Sequence, residues 1–316
     1  MPLQHWQSAI ARELCQKTSA REPHRAIRQL AQTLLDDAEV ANPPVNLRLI
    51  ASFQNIRDIQ EAIMPHAGRL LPDGANYLIQ VNAHHSRGKQ RFTAGHEIGH
   101  TLIPSFQRHP RVIQDMFTGL FEAGQEEEYL CDVAAAELLL PERLFRPRAT
   151  NLGCHLNAVI ELARTFQASR EATARRLVEM NLWPCAFAIW HLSYKDSEAH
   201  INQQLTLGGP EWALPEKKLR VRYAVANPLF GHYLHRNLAA PQDGCLMCCF
   251  KEGGVVYDEE RLTLQNRDIT FYVMAAARNY TDKSGLTRDV FSLLLSDGST
   301  RPAQDNQWGS WTLFEE

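Results

Sequence analysis

Two histidines four residues apart, His96 and His100, flank a glutamate in Gln90-Arg91-Phe92-Thr93-Ala94-Gly95-His96-Glu97-Ile98-Gly99-His100. On a helix this spacing puts both imidazoles on one face, close enough to grip a single cation. Glu97 then lies beside the open coordination position, where it can take a proton from an attacking water. A solvated amphipathic helix is the alternative. Phe92, Ile98, Leu102 and Ile103 argue against it by supplying positions to bury, and Gly95 and Gly99 permit close backbone approach. A third ligand is sought in Gln125-Glu126-Glu127-Glu128-Tyr129-Leu130-Cys131-Asp132, which runs into Val133-Ala134-Ala135-Ala136-Glu137-Leu138-Leu139-Leu140-Pro141. Glu128, Asp132 and Ala135 share one helical face. Glu128 completes a His2Glu set with the fourth position open, and Asp132, one turn on, orients an imidazole. Zinc fits that set; manganese or iron suit it too. Glu126 and Glu127 read as the solvated start of a helix near its positive dipole end.

The two motifs, Gln-Arg-Phe-Thr-x-x-His-Glu-x-x-His and then Glu-x-x-Cys-Asp-x-Ala-Ala-x-x-Leu-Leu-x-Pro, resemble those of the ImmA/IrrE family of bacterial metallopeptidases, over about Leu47 to Met180. The resemblance implies metal ligands at His96, His100 and Glu128, a catalytic base at Glu97, and helix-turn-helix repressors as substrates. It further implies a zincin-like α+β domain followed by a mixed α/β, GAF-like sensor, and single-stranded DNA as a signal of DNA damage.

The elements that position the motifs follow the same patterning. Leu3–Cys15 and Pro23–Asp37 read as amphipathic helices, the second carrying Leu30, Leu34 and Leu35. Leu47–Ala51 and Tyr77–Asn82 read as strands, with a turn at Asp73-Gly74. A sheet edge there could accept an extended substrate as an added strand, or be an ordinary core hairpin. His84, His85 and His109 belong to loops and are left out of the site. Leu156–Met180 reads as helix, short turn and helix, with Ser169 capping the second. Seven arginines between Arg143 and Arg176, against four glutamates between Glu142 and Glu179, leave a local net charge of +3. Those helices either brace the peptidase core or meet phosphates.

Asn181-Leu182-Trp183-Pro184 reads as a boundary. The expected domains are therefore a metallopeptidase over 1–150, a helix-turn-helix-like segment over 151–183 and a regulatory domain over 184–316. In the last, strands are expected at 186–194, 219–225, 244–250, 269–277 and 290–295, with a helix near Pro228–Leu238 and turns at Gly208-Gly209-Pro210, Gly253-Gly254 and Asp297-Gly298. His232, His235, Cys245 and Cys248 hint at a second metal. Alternation across Cys245–Phe250 favours buried thiols on a strand.

Composition excludes other classes. The 316 residues are 44% apolar and 22% charged with a formal net charge of −3, so no basic balance advertises nucleic acid. No apolar run is long enough for a membrane span, and the polar N-terminus does not read as a signal peptide. Seven irregularly spaced cysteines fit a reducing cytoplasm. The expected function is a regulatory metalloendopeptidase that cuts a repressor to induce a stress-response or phage-defence operon. The alternative is a non-catalytic regulator that keeps the fold as a scaffold.

Overall fold

The computed structural model describes residues 6–108, 113–114, 123–197, 216–282 and 285–296. The expectations for His109, Gly208-Gly209-Pro210 and Asp297-Gly298 fall outside them, as do the first residues of the N-terminal helix. The chain divides into two compact units, Met1–Arg148 with Glu161–Thr173, and Ala149–Ile160 with Ala174–Glu316. Residues 161–173 fall in the first of these and residues 151–160 and 174–183 in the second.

The first unit begins with α1 (Ala9–Thr18) and α2 (Pro23–Asp37). Leu47–Ala51, expected as a strand, lies in a helix, α3 (Leu47–Ser52). Asn46 decides the matter, because its side chain accepts from the Arg48 and Leu49 amides and so caps a helix start. Next come β1 (Ile56–Ala62), β2 (Gly68–Asp73) and β3 (Asn76–Asn82), then α4 (Arg87–Leu102), α5 (Pro104–Arg108), β4 (Ile113–Gln114) and α6 (Ala123–Leu139). The sheet order is β1-β3-β2-β4, with β2 antiparallel to β3 across the Gly74 turn and β1 parallel to β3. Asn82 secures the passage from β3 into α4. Its amide donates to the carbonyls of Met64 and His66, and its oxygen accepts from the His84 backbone.

Helices α7 (Glu142–Leu152), α8 (Leu156–Phe166) and α9 (Arg170–Glu179) follow. Ser169 caps α9 as expected, accepting from the Ala172 amide at 3.1 Å. The α8–α9 turn packs on the first turn of α4, since a Cβ at Gly88 would lie 3.1 Å from the Ser169 nitrogen. At least five of the seven arginines are engaged locally. Arg143 meets Asp36 and the Val40 carbonyl, Arg146 meets Glu142, Arg148 the Leu144 carbonyl, and Arg175 and the buried Arg176 meet Glu179.

The second unit is built on a five-stranded antiparallel sheet of β5 (Cys185–Ser193), β6 (Lys218–Ala226), β7 (Val255–Leu264), β8 (Arg267–Asp282) and β9 (Gly285–Leu295), in the order β6-β5-β9-β8-β7. Only a 3-10 turn, Pro228–Phe230, forms where a helix is expected. Cys245–Glu252 is a helix, α10, rather than a strand. Cys245, Leu246, Met247 and Cys249 face the core while Cys248 is exposed, a helical burial pattern. His232 packs against Phe230 and Phe271. Among the described residues the His232, His235, Cys245 and Cys248 donors do not gather into a metal site. None of the helices described is long and apolar enough to cross a membrane.

Helices α4 and α6 touch through small residues. A Cβ on Gly99 would come within 3.1 Å of the Ala134 Cβ and of the Cys131 Cα and carbonyl oxygen. Glycine to alanine in a helix ordinarily gains about 1 kcal/mol, whereas overpacking a core costs about 1–3 kcal/mol. The backbone atoms facing Gly99 cannot rotate away, so the second effect wins. Gly99→Ala is therefore expected to lower the denaturant midpoint of the first unit, followed by circular dichroism; an unchanged or raised midpoint contradicts this packing.

Candidate metal centre

Helix α4 carries His96, Glu97 and His100; α6 carries Glu127, Glu128, Cys131 and Asp132. Glycines at 95 and 99 let α6 approach closely enough for its side chains to reach the imidazoles. At Gly95 the contact is with Ala135, 3.3 Å from a would-be Cβ. Gly68 on β2 serves the other side of α4. A Cβ there would strike the Thr93 methyl at 2.3 Å and meet the Gln80 carbonyl oxygen at 3.0 Å, so glycine lets β2 pass close to α4, with Glu97 Oε1 in ordinary contact at 3.5 Å.

The structure brings the three expected ligands together. His96 Nε2 lies 3.2 Å from His100 Nε2 and 3.0 Å from Glu128 Oε2, while His100 Nε2 lies 3.7 Å from Glu128 Oε1. Four ligands set tetrahedrally at zinc bond lengths of about 2.0–2.1 Å stand about 3.4 Å apart. The donor atoms present therefore fit a small divalent cation.

The remaining ring nitrogens are committed to carboxylates. His96 Nδ1 meets Asp132 Oδ1 at 2.8 Å, and His100 Nδ1 meets Glu127 Oε1 at 3.3 Å. Each carboxylate fixes its ring with Nε2 facing the centre. The reading of Glu127 as a solvated residue is thus overturned: it is buried beside a fully buried His100. Glu126 is also employed, accepting from the amides of Gln7 and Ser8 at 2.9 and 3.0 Å.

The electrostatics suit a cation. Burial opposes the charged form of His96, yet Asp132 and Glu128 outweigh it and push the pKa up to about 10. Without a cation the ring holds a proton between two carboxylates. A metal must displace that proton, so affinity weakens in acid. Burial pushes His100 down, against the pull of Glu127. Cys131 is a further donor that spacing alone does not single out, its thiol clustering with His96 and His100 within 4.8 Å. Burial, then Glu128, Glu127, Asp132 and Glu97, hold its pKa well above the usual thiol range, which keeps it a neutral thiol while no cation is near. Its clue in the sequence is its place three residues after Glu128, on the same side of α6.

The carboxylates behind the imidazoles give a direct test. Glu127→Ala and Asp132→Ala should each weaken zinc binding about 10- to 100-fold, read by competition with a chromogenic chelator. Unchanged affinity in both variants would show that the carboxylates do not orient the rings.

The sequence profile of the IrrE N-terminal-like domain matches residues 51–178. The chain is 32% identical over 126 residues to the radiation response metalloprotease IrrE of Deinococcus deserti, covering 40% of this chain and 44% of that one. To the Deinococcus radiodurans IrrE it is 31% identical over 117 residues, 37% of this chain and 35% of the relative. The chain thus spans less than half the length of these curated relatives. Among solved structures, a Mycobacterium tuberculosis transcriptional regulator shares the fold, with a TM-score of 0.52 at 11% identity over 91% of this chain and 80% of that one.

Proposed function

Through residues 51–178 the chain belongs to the ImmA/IrrE family of metallopeptidases, and from that premise we propose that it is a regulatory metal-dependent endopeptidase that cuts a helix-turn-helix repressor. The observation that carries this reading is the convergence of His96 Nε2, His100 Nε2 and the Glu128 carboxylate, with Glu97 adjoining His96 on the same helix. A divalent cation, zinc in the first instance, supplies Lewis acidity toward the scissile carbonyl when bound. His96, His100 and Glu128 hold it, and Asp132 and Glu127 keep the imidazoles in the ligating tautomer. Glu97, buried against Gly68, accepts a proton from the attacking water and delivers it to the leaving amine. Cleavage of the repressor would release transcription of a stress-response or phage-defence operon in the cytoplasm.

The sheet-rich second unit is read as a GAF-like sensor. Support comes from the five-stranded antiparallel sheet of its described residues, with α10 packed on one face. Single-stranded DNA is the proposed activating signal by family analogy. The arginines from Arg143 to Arg176 lend it little support, because five of them are engaged within the fold and the α8–α9 turn braces α4. The runner-up, a scaffold without turnover, is disfavoured by a complete ligand set with a general base beside it.

Glu97→Gln discriminates the two readings. The amide cannot accept the proton, so cleavage of a helix-turn-helix repressor that the wild-type protein cuts should fall about 10²- to 10⁴-fold while zinc content is kept. Wild-type rates in the zinc-loaded variant would remove Glu97 from the mechanism; no cleavage by the wild-type protein under any condition would favour the scaffold. Addition of single-stranded DNA should raise the wild-type rate, and an unchanged rate would remove DNA as the signal.

A further inference from the structure

The second unit carries a polar constellation that the peptidase reading does not use. His191 on β5, Asp289 on β9 and Arg278 on β8 are paired neighbours in one row across three strands. The preceding row, Trp190, Val290 and Ala277, packs into the core beneath α10. Successive side chains of a strand point to opposite faces. The polar row therefore lies on the other face, beyond the buried Ile189 and Phe291.

Asp289 is 1% exposed, and four side chains each turn one donor toward it. Its Oδ1 meets His191 Nδ1 at 2.7 Å and the Tyr280 hydroxyl at 3.3 Å. Its Oδ2 meets Arg222 Nη1 at 3.5 Å and Arg278 Nη2 at 3.6 Å. Burial, then Asp289 itself, raise the Tyr280 pKa, so the hydroxyl stays a donor. Arg278 also lies over the Tyr280 ring, 5.5 Å from its centroid.

One buried carboxylate is thus faced by two guanidiniums, and the group is a net cation before His191 is counted. Each guanidinium has five N–H donors in a rigid fork and directs one of them at Asp289. Arg222 is 59% exposed on its side chain and Arg278 34%, so both side chains reach solvent. A structural ion pair needs one arginine. A second one, held over the same oxygen, is what a receptor for an external oxyanion needs. Asp289 then acts as the positioning residue that sets the two forks before a ligand arrives.

We propose that Arg222 and Arg278, aligned by Asp289, form a binding site for the oxyanion head of a small ligand, a phosphoryl group in preference to a carboxylate. A tetrahedral phosphate can give one oxygen to each guanidinium and keep a third in solvent, whereas a carboxylate has only two to share. The site lies within the second unit and stands whether or not the first unit cleaves a protein.

The test uses the full chain labelled with 15N-arginine, titrated with inorganic phosphate at ionic strength held constant with sodium chloride, and separately with acetate. The Nε–Hε signals of Arg222 and Arg278 should move saturably with phosphate, and at higher concentration with acetate. Arg278→Ala and Arg222→Ala should each weaken phosphate binding about tenfold or more, and Arg222→Lys should recover part of it. Arg222 is exposed enough for its variants to keep the fold, which the unmoved arginine signals elsewhere will verify. Tighter saturation with acetate would retain the site and reassign its ligand class to carboxylates. Linear shifts with both anions, equal to those from chloride alone, would overturn the proposal, as would full affinity in Arg222→Ala.

Discussion

Everything at the candidate centre depends on how closely α4 and α6 approach. Side chains as short as glutamate and aspartate reach imidazoles on a neighbouring helix only when the two backbones nearly touch. Gly95 and Gly99 on one helix, against Cys131, Ala134 and Ala135 on the other, provide that approach. The same logic operates toward the sheet, where Gly68 lets β2 pass beside Thr93 and Glu97. Three glycines therefore set the depth at which the chemistry sits, although none of them takes part in it.

That proximity has an electrostatic cost. Glu127, Glu128 and Asp132 all lie against two imidazoles, so carboxylates outnumber the rings they face. Buried charges must be paired. A proton on His96 meets the requirement in part, which is why Asp132 and Glu128 hold it so firmly against burial. A doubly charged cation would meet it better, and the centre is in that sense a receptor for positive charge built from carboxylates. Asp289 in the second unit is the opposite case, a single buried carboxylate with two arginines beside it.

Much of the site was legible because its chemistry obeys helical periodicity. The spacing of His96 and His100 and the face shared by Glu128, Asp132 and Ala135 are consequences of 3.6 residues per turn. Where one short segment could satisfy two periods, pattern reading failed. Leu47–Ser52 and Cys245–Glu252 are six and eight residues long, and over that length alternation and a helical stripe nearly coincide. A cap decided the first, through Asn46, and burial of Cys249 with exposure of Cys248 reveals the second. Strands β1 and β7 escaped notice because charged residues interrupt them. Arginine count overstated the basic surface, since composition cannot show which guanidiniums are already committed to Asp36, Glu142 and Glu179.

Glu126, Glu127 and Glu128 are chemically identical and adjacent, yet they have three different occupations. The first holds the start of α1 through the Gln7 and Ser8 amides, the second steadies His100, and the third faces the centre. Consecutive residues of a helix are rotated by about 100°, so each occupation belongs to a direction rather than to an amino-acid type. Inserting or deleting one residue in this run would leave its composition almost untouched and reassign all three duties at once. Substitution and frame are thus unequal hazards for this stretch: a glutamate may be exchanged with local damage, but the phase of the helix admits no error.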